Sequence, residues 1–424
     1  MDSRIPDFYT FDADERLSLV ADRAGLSDAT RAAVAESAER ATLDGLSENV
    51  VGSITLPLGV ATNFRIDGED RLVPMATEES SVVAAASHGA RMAREGGGFH
   101  TSTTGPYMIA QVQVVDCPDP HAARSRLLEA ADEIRAEAND QGVLVSHGGG
   151  CEEVSVRVID TPRGEMVVVH LLVNTQDAMG ANAVNTMAEG VAPLVASVAE
   201  GEVSLRILSN LADCRLARAR CTIPPEVFDR EDTELTGGEV RDRIVDAWAF
   251  AAADPYRAAT HNKGVLNGVD ALALATLNDW RALEAGAHAY AATRGGGYGP
   301  LTTYEVDGDG NLSCVIELPV QVGTVGGATS VHGGASAAME ILGVESADEF
   351  ARVFAALGLA ENLASLRALV AEGIQAGHMK LHAQNVAREA GAPEELVGEV
   401  AERLVADGTV SQSRARELLD ELTD

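Results

Sequence analysis

Apolar residues recur at helical spacing from Asp12 to about Thr42 (Leu17, Leu19, Val20, then Ala32 and Val34), broken at Gly25-Leu-Ser-Asp. This pattern predicts two amphipathic helices. From Glu48 to Ala61 glycine, proline and β-branched residues predict an extended, turn-rich segment. Arg71-Leu-Val-Pro-Met-Ala-Thr-Glu-Glu-Ser-Ser then leads into a helix of small residues at 82–94. Between Met108 and Ser209 the apolar period switches back and forth between strand and helix. Strand 108–115, charged helix 120–139, strands 154–159 and 166–173, helix 183–198 and strand 203–208 give the order βαββαβ, a ferredoxin-like split unit. The flanking segments differ in character, so this unit reads as an insertion spanning 108–216. Residues 1–107 and 217–371 form a larger mixed helical and β domain around it. That domain continues through helix 239–252, a helix start at Asn278 or Asp279, and a hairpin of 301–306 with 312–317 about Asp307-Gly-Asp-Gly. The glycine-rich loop from Gly323 to Thr329 has a backbone able to approach a ligand. Helices 346–357 and 362–376 follow, and the tail from Arg388 to Asp424 reads as a small helical subdomain able to act as a lid. The fold class is α+β.

Composition narrows the function classes. No apolar run reaches membrane-spanning length, and 46% hydrophobic with 23% charged residues is ordinary for a soluble globular chain. Five cysteines without a C-x-x-C pair read as free thiols in a reducing, cytoplasmic compartment, and no metal framework is expected. A net charge of −33 argues against nucleic acid and anionic membrane as partners. Two lysines in 424 residues and 4% aromatics accompany that charge. We read the combination as adaptation to a high-salt cytoplasm, with a fold expected to loosen when salt is withdrawn.

One of the two lysines, Lys263, stands in Asp254-Pro-Tyr-Arg-Ala-Ala-Thr-His-Asn-Lys-Gly-Val-Leu-Asn-Gly. Lysine is a compact point charge suited to an oxyanion, where arginine is a planar fork. Neither G-x-G-x-x-G after a strand nor G-x-x-x-x-G-K-[ST] is present. His378-Met-Lys-Leu-His382 lacks the glutamate of a zinc protease motif, which leaves His378 as a candidate general acid. The Glu78-Glu79 pair opens a helix, where it serves the dipole or lines a pocket. Glu79, Lys263, Asp279 and His378 together would suffice for carbonyl reduction, although pattern alone leaves open whether they meet. Gly148–Gly150 and Asp177-Ala-Met-Gly-Ala-Asn-Ala-Val-Asn point to an anion or dinucleotide site at a helix N-terminus.

Seven stretches carry a family resemblance: Glu48-Asn-Val-Val-Gly, Val73-Pro-Met-Ala-Thr-Glu-Glu, Asp177-Ala-Met-Gly-Ala-Asn-Ala-Val-Asn, Leu205-Arg-Ile-Leu-Ser-Asn-Leu-Ala-Asp, Asp254 to Gly264, Gly323 to Thr329, and Glu372-Gly-Ile-Gln-Ala-Gly-His-Met. In this order they resemble the 3-hydroxy-3-methylglutaryl-coenzyme A (HMG-CoA) reductase family in its soluble class II form. The resemblance implies four-electron reduction of HMG-CoA to mevalonate and free CoA, or the reverse, by NADH or NADPH. It implies that the large domain holds the substrate, the insert holds the nicotinamide, and 372–424 forms a flap. It implies that Lys263 stabilises the carbonyl oxygen, Glu79 supplies a proton, and Asp279 joins them in a charged network. His378 would protonate the CoA thiolate. Arg257, Asn267 and Ser81 match substrate contacts, and Asp177, Met179, Asn182 and Asn210 match cofactor contacts. Asp140 would favour NADH by accepting from the ribose 2′-OH. Glu361 stands where a glutamine is expected. The family's site lies between subunits, so a homodimer or larger homo-oligomer is implied. The rival readings are a non-catalytic CoA-ester-binding or regulatory relative, and a different acyl-CoA or aldehyde reductase.

Overall fold

The protein is represented by a computed structural model that describes residues 43–141, 144–229, 235–330, 332–371 and 383–423, with a few positions between 11 and 22. The helices expected over 12–42 fall almost wholly outside the described residues. Strands β1 (Leu58–Ile66) and β2 (Glu69–Ala76) form an antiparallel hairpin. Its two-residue turn, Asp67-Gly68, has positive φ at both positions, the geometry that matches the twist of paired strands. Helix α1 (Val82–Glu95) and strand β3 (His100–Thr103) follow.

The next segment is β4 (Tyr107–Val115), α2 (Pro120–Glu129), α3 (Ala131–Asp140), β5 (Gly150–Thr161), β6 (Gly164–Asn174), α4 (Ala181–Ala199) and β7 (Glu202–Ser209). Its four strands lie in the order β5-β6-β4-β7, each pair antiparallel, which is the arrangement of a ferredoxin-like βαββαβ unit. Met108, Ala110, Val112 and Val114 alternate into a core of their own with residues of α2, α3 and α4. The sequence predicts one helix over 120–139. The structure divides it at Ala130, where no glycine or proline interrupts the apolar period.

The chain then adds β8 (Leu216–Ile223), α5 (Gly237–Ala253), α6 (Pro255–Ala275), α7 (Trp280–Thr293), β9 (Thr302–Val306), β10 (Leu312–Pro319), α8 (Gly333–Leu342) and α9 (Ala347–Ala371). A second sheet runs β3-β8-β10-β9. Thr236 and Glu239 cap α5 reciprocally, and Asp254 with Pro255 starts α6. These elements share the largest core. Its centre is α9, 25 residues long, where the sequence predicts two helices over 346–357 and 362–376. The expected break at 358–361 is absent: the helix runs through it, and Glu361 and Asn362 are both buried. By length and composition α9 matches a membrane span, yet 78% of its most apolar 18 residues are buried in the protein's own core. Finally α10 (Glu394–Ala406) and α11 (Gln412–Thr423) close a small third core with Ala383, Val386 and Ala387. All five cysteines are free thiols.

Candidate active site

Helix α6 presents one face to a cleft. Its Arg257, Thr260, Lys263 and Asn267 recur at intervals of three or four residues, the spacing that aligns side chains along a helix, and Gly264 lies beside them. The opposite wall is the turn before α1, with Glu79, Ser80 and Ser81, and α9 supplies Glu361, Asn362 and Ser365. The enclosed volume is about 290 Å³. Lys263 Nζ donates to Glu79 Oε2 at 3.1 Å, and both side chains are solvent-accessible. Ser81 adopts a left-handed backbone (φ 77°) and offers α1 no side-chain cap, so its hydroxyl and the open helix end both border the cleft. The structure thus brings together Glu79, Lys263, Arg257, Asn267 and Ser81.

The scaffold around Lys263 is rigid. Asn262 Nδ2 donates to Gly299 O (3.0 Å) and Tyr298 Oη (3.1 Å), and Asn262 Oδ1 accepts from Leu301 N (2.9 Å). From α9, Asn362 Nδ2 donates to His261 O (2.9 Å) while Asn362 Oδ1 accepts from Tyr304 Oη (2.9 Å). Both asparagine side chains are buried and their amides are engaged by these bonds, so rotation of α6 would forfeit them. His261, the histidine beside Lys263, is a core residue: Nε2 meets Thr302 Oγ1 at 2.5 Å, and burial, with Arg257 nearby, pushes its pKa down to about 3. It is neutral at physiological pH. Desolvation also lowers the Arg257 pKa from its ordinary value, an arginine half-withdrawn from water with the cleft before it, where a ligand carboxylate could replace the lost hydration.

Asp279 is elsewhere in the same chain. It caps α7 by accepting from Ala282 N (3.1 Å) and pairs with Arg281 Nη2 (3.2 Å). Lys263 lies twelve residues before the end of α6, about 18 Å along the axis, and Asp279 follows that end. His378 and its neighbours Lys380 and His382 lie outside the described residues. Among the described residues no cluster of three His, Cys, Asp or Glu side chains could hold a metal.

The cofactor candidates gather at the junction of the βαββαβ unit with the main core. Asp177 O accepts from Thr324 N (2.9 Å) and Asp177 Oδ1 accepts from Ala347 N (2.8 Å) at the start of α9. Met179 O accepts from Arg215 Nη1 (3.1 Å). Asn210 O accepts from Gln321 Nε2 (3.3 Å), and the Asn210 side chain is exposed. Asn182 is exposed in the first turn of α4, which starts from Gly180 without a side-chain cap. No side chain caps this 19-residue helix, and N–H groups at a helix start are the kind of donor a pyrophosphate requires. Asp140 is exposed at the C-terminal end of α3.

Two glycine-rich motifs take other roles. A Cβ on Gly323 would sit 2.4 Å from Met179 N, so the close approach there is to the protein's own Ala178–Met179 backbone rather than to a ligand. Gly148–Gly150 leads into β5 and does not begin a helix; Gly149 packs against the carbonyl of Asn174. Sequence reasoning missed Arg215, which no motif marks. It assigned Glu361 no chemistry, although a lone carboxyl within an apolar helical run is a legible signal.

A family model for hydroxymethylglutaryl-coenzyme A reductase matches residues 12–383. A 3-hydroxy-3-methylglutaryl-coenzyme A reductase from Archaeoglobus fulgidus is 54% identical over 424 residues, covering 100% of this chain and 95% of that protein. Among solved structures, the reductase from Streptococcus pneumoniae superposes with a TM-score of 0.77 at 39% identity, covering 98% of this chain and 99% of that one. A second structure of that class II enzyme, bound to NADPH in open conformations, gives a TM-score of 0.76 at 38% identity over 97% and 99% of the two chains.

Proposed function

The chain belongs to the hydroxymethylglutaryl-coenzyme A reductase family of NAD(P)H-dependent oxidoreductases, and from that premise we propose that its chemistry runs in the Glu79–Lys263 cleft. The observation that carries this is the 3.1 Å pairing of a cationic amine with a carboxyl group beside Arg257, Asn267 and Ser81. In this reading HMG-CoA, two reduced nicotinamides and two protons give mevalonate, CoA and two oxidised nicotinamides. The nicotinamide, when bound, supplies hydride. Arg257 takes the terminal carboxylate of the acyl group, with Asn267 and Ser81 fixing its hydroxyl end. Lys263 stabilises the oxyanion that develops on the thioester carbonyl and later on the mevaldehyde carbonyl. Glu79, hydrogen-bonded to that lysine, delivers the proton that converts the second oxyanion to the alcohol. His378 protonates the departing CoA thiolate and residues 372–424 act as a flap, with boundaries at 107/108, 216/217 and 371/372 separating the three units.

Asn182, Asp177, Met179 and Asn210, gathered about the start of α4, would hold the diphosphate of the nicotinamide cofactor. NADH is the preferred donor, because a carboxylate at Asp140 accepts from a ribose 2′-OH and repels a 2′-phosphate. The protein works in a high-salt cytoplasm that screens its charge of −33 against anionic CoA.

The distance between Asp279 and Lys263 within one chain supports a site shared between two copies, with Asp279 of one protomer completing the cleft of its partner. Mixing inactive Lys263→Ala protein with inactive Asp279→Ala protein, under conditions that exchange subunits, then regenerates intact sites. About a quarter of wild-type activity is expected from a random mixture of homodimers and heterodimers. Subunit exchange without any recovered activity would mean that both residues act within one chain.

A further inference from the structure

Glu361 has no part in the chemistry described above, yet its setting is unusual. It projects from the middle of α9, where only 1% of its surface is exposed, and it lines the same cleft as Glu79 and Lys263. Its Oε2 is buried without a hydrogen-bond partner. Gly268 on α6 permits this placement: a Cβ there would press within 3.3 Å of the Glu361 Cβ, so the glycine lets α9 settle against the cleft floor. A buried polar atom left unpaired beside a ligand cleft is costly unless a ligand completes it.

We propose that Glu361 is a positioning residue held as a neutral carboxylic acid, donating its O–H to an acceptor oxygen of the acyl group bound between Lys263 and Arg257. The inference rests on the reading of this cleft as the acyl-CoA site and adds a protonation requirement to it. A carboxylate would have no hydrogen to donate and would repel an anionic acyl group; the neutral acid presents one donor and one acceptor.

The electrostatics agree with the geometry. Burial first and then Glu79 raise the pKa of Glu361, against Lys263 and a backbone hydrogen bond from Ala86, to about 9. Glu79 faces it from the turn before α1 and Lys263 from α6; the Ala86 backbone of α1 lies alongside, and Arg257 and neutral His261, also on α6, line the same cleft. The sign follows directly: the raised pKa keeps the proton on at neutral pH, and the donor is lost as pH rises through about 9. One pH unit above that value leaves about a tenth of the sites competent, so apparent affinity falls about tenfold.

The test combines two measurements on the full-length protein. Infrared difference spectra between wild type and Glu361→Gln should contain the carbonyl band of a protonated carboxyl at neutral pH, lost near pH 9. Calorimetric binding of HMG-CoA should weaken about tenfold from neutral pH to about pH 10 in wild type. Glu361→Gln, which keeps a donor that cannot titrate, flattens that rise; Glu361→Ala weakens binding at every pH, with KM affected more than kcat. An ionised Glu361 at neutral pH, or an identical alkaline loss in Glu361→Gln, would overturn the proposal. Binding that follows the predicted pattern without any turnover would retain the role of Glu361 and remove the proposed reaction instead.

Discussion

Replacing Lys263 with arginine should leave the protein folded and lower kcat for HMG-CoA reduction by about 10²- to 10³-fold, the usual cost of losing one oxyanion donor. The side chain is 59% exposed and its one described partner is Glu79, so folding does not depend on it. Charge is conserved in this variant, and geometry is what changes. The guanidinium is a planar fork that binds a carboxylate through two parallel bonds, whereas the lysine amine touches Glu79 through Oε2 at 3.1 Å. An arginine would clamp Glu79 as a carboxylate and withdraw both the oxyanion donor and the proton donor at once. Thermal melts that superimpose on wild type, together with the kinetic loss, are the expected pair of results. Near-normal kcat would remove Lys263 from the mechanism.

Arg215→Ala should destabilise the protein by about 3–5 kcal/mol, since a buried acceptor stripped of its donor costs about 1–3 kcal/mol. The Arg215 guanidinium donates to Thr175 Oγ1 (3.0 Å), Met179 O (3.1 Å), Ala178 O (3.3 Å) and Val322 O (2.5 Å). Burial lowers its pKa to about 10, with Asp177 acting in the opposite direction, so it remains charged at neutral pH. These bonds fasten the turn that leads into α4 to the segment between β10 and Gly323. The variant should therefore raise the KM for the nicotinamide as well as shift the denaturation midpoint. Arg215→Lys keeps the charge but loses the fork, and should fall between the two. A loss below about 1 kcal/mol would show that the acceptors find other donors.

The parts of this account that were legible in the sequence are those set by local period and by short motifs. The βαββαβ order followed from apolar spacing, and the strand order agrees with it. Glu79, Ser81, Arg257, Lys263 and Asn267 meet in one cleft although 184 positions separate Glu79 from Lys263. Their proximity could not come from spacing, only from the family resemblance. What remained illegible depends on tertiary packing. The two helices expected over 346–357 and 362–376 run together as α9 as far as Ala371, and only the facing α6 shows why Glu361 and Asn362 are buried there. The loop at Gly323 looks like a ligand cradle, but its flexibility serves contact with Met179. Arg215 is one arginine among many, distinguished solely by the carbonyls around it. Asp279 is a helix cap by its sequence, and its separation from Lys263 becomes apparent only with the helix between them in place.

The central claim is that this cleft carries out both reductions of a thioester. The most direct measurement follows the oxidation of NADH and of NADPH by purified protein with HMG-CoA at about 1 M salt, where charge repulsion is screened, with product analysis. Two nicotinamides should be oxidised for each HMG-CoA consumed, with one free CoA thiol and one mevalonate formed, and kcat/KM should be higher with NADH. A folded protein that binds HMG-CoA but oxidises neither cofactor would contradict the claim.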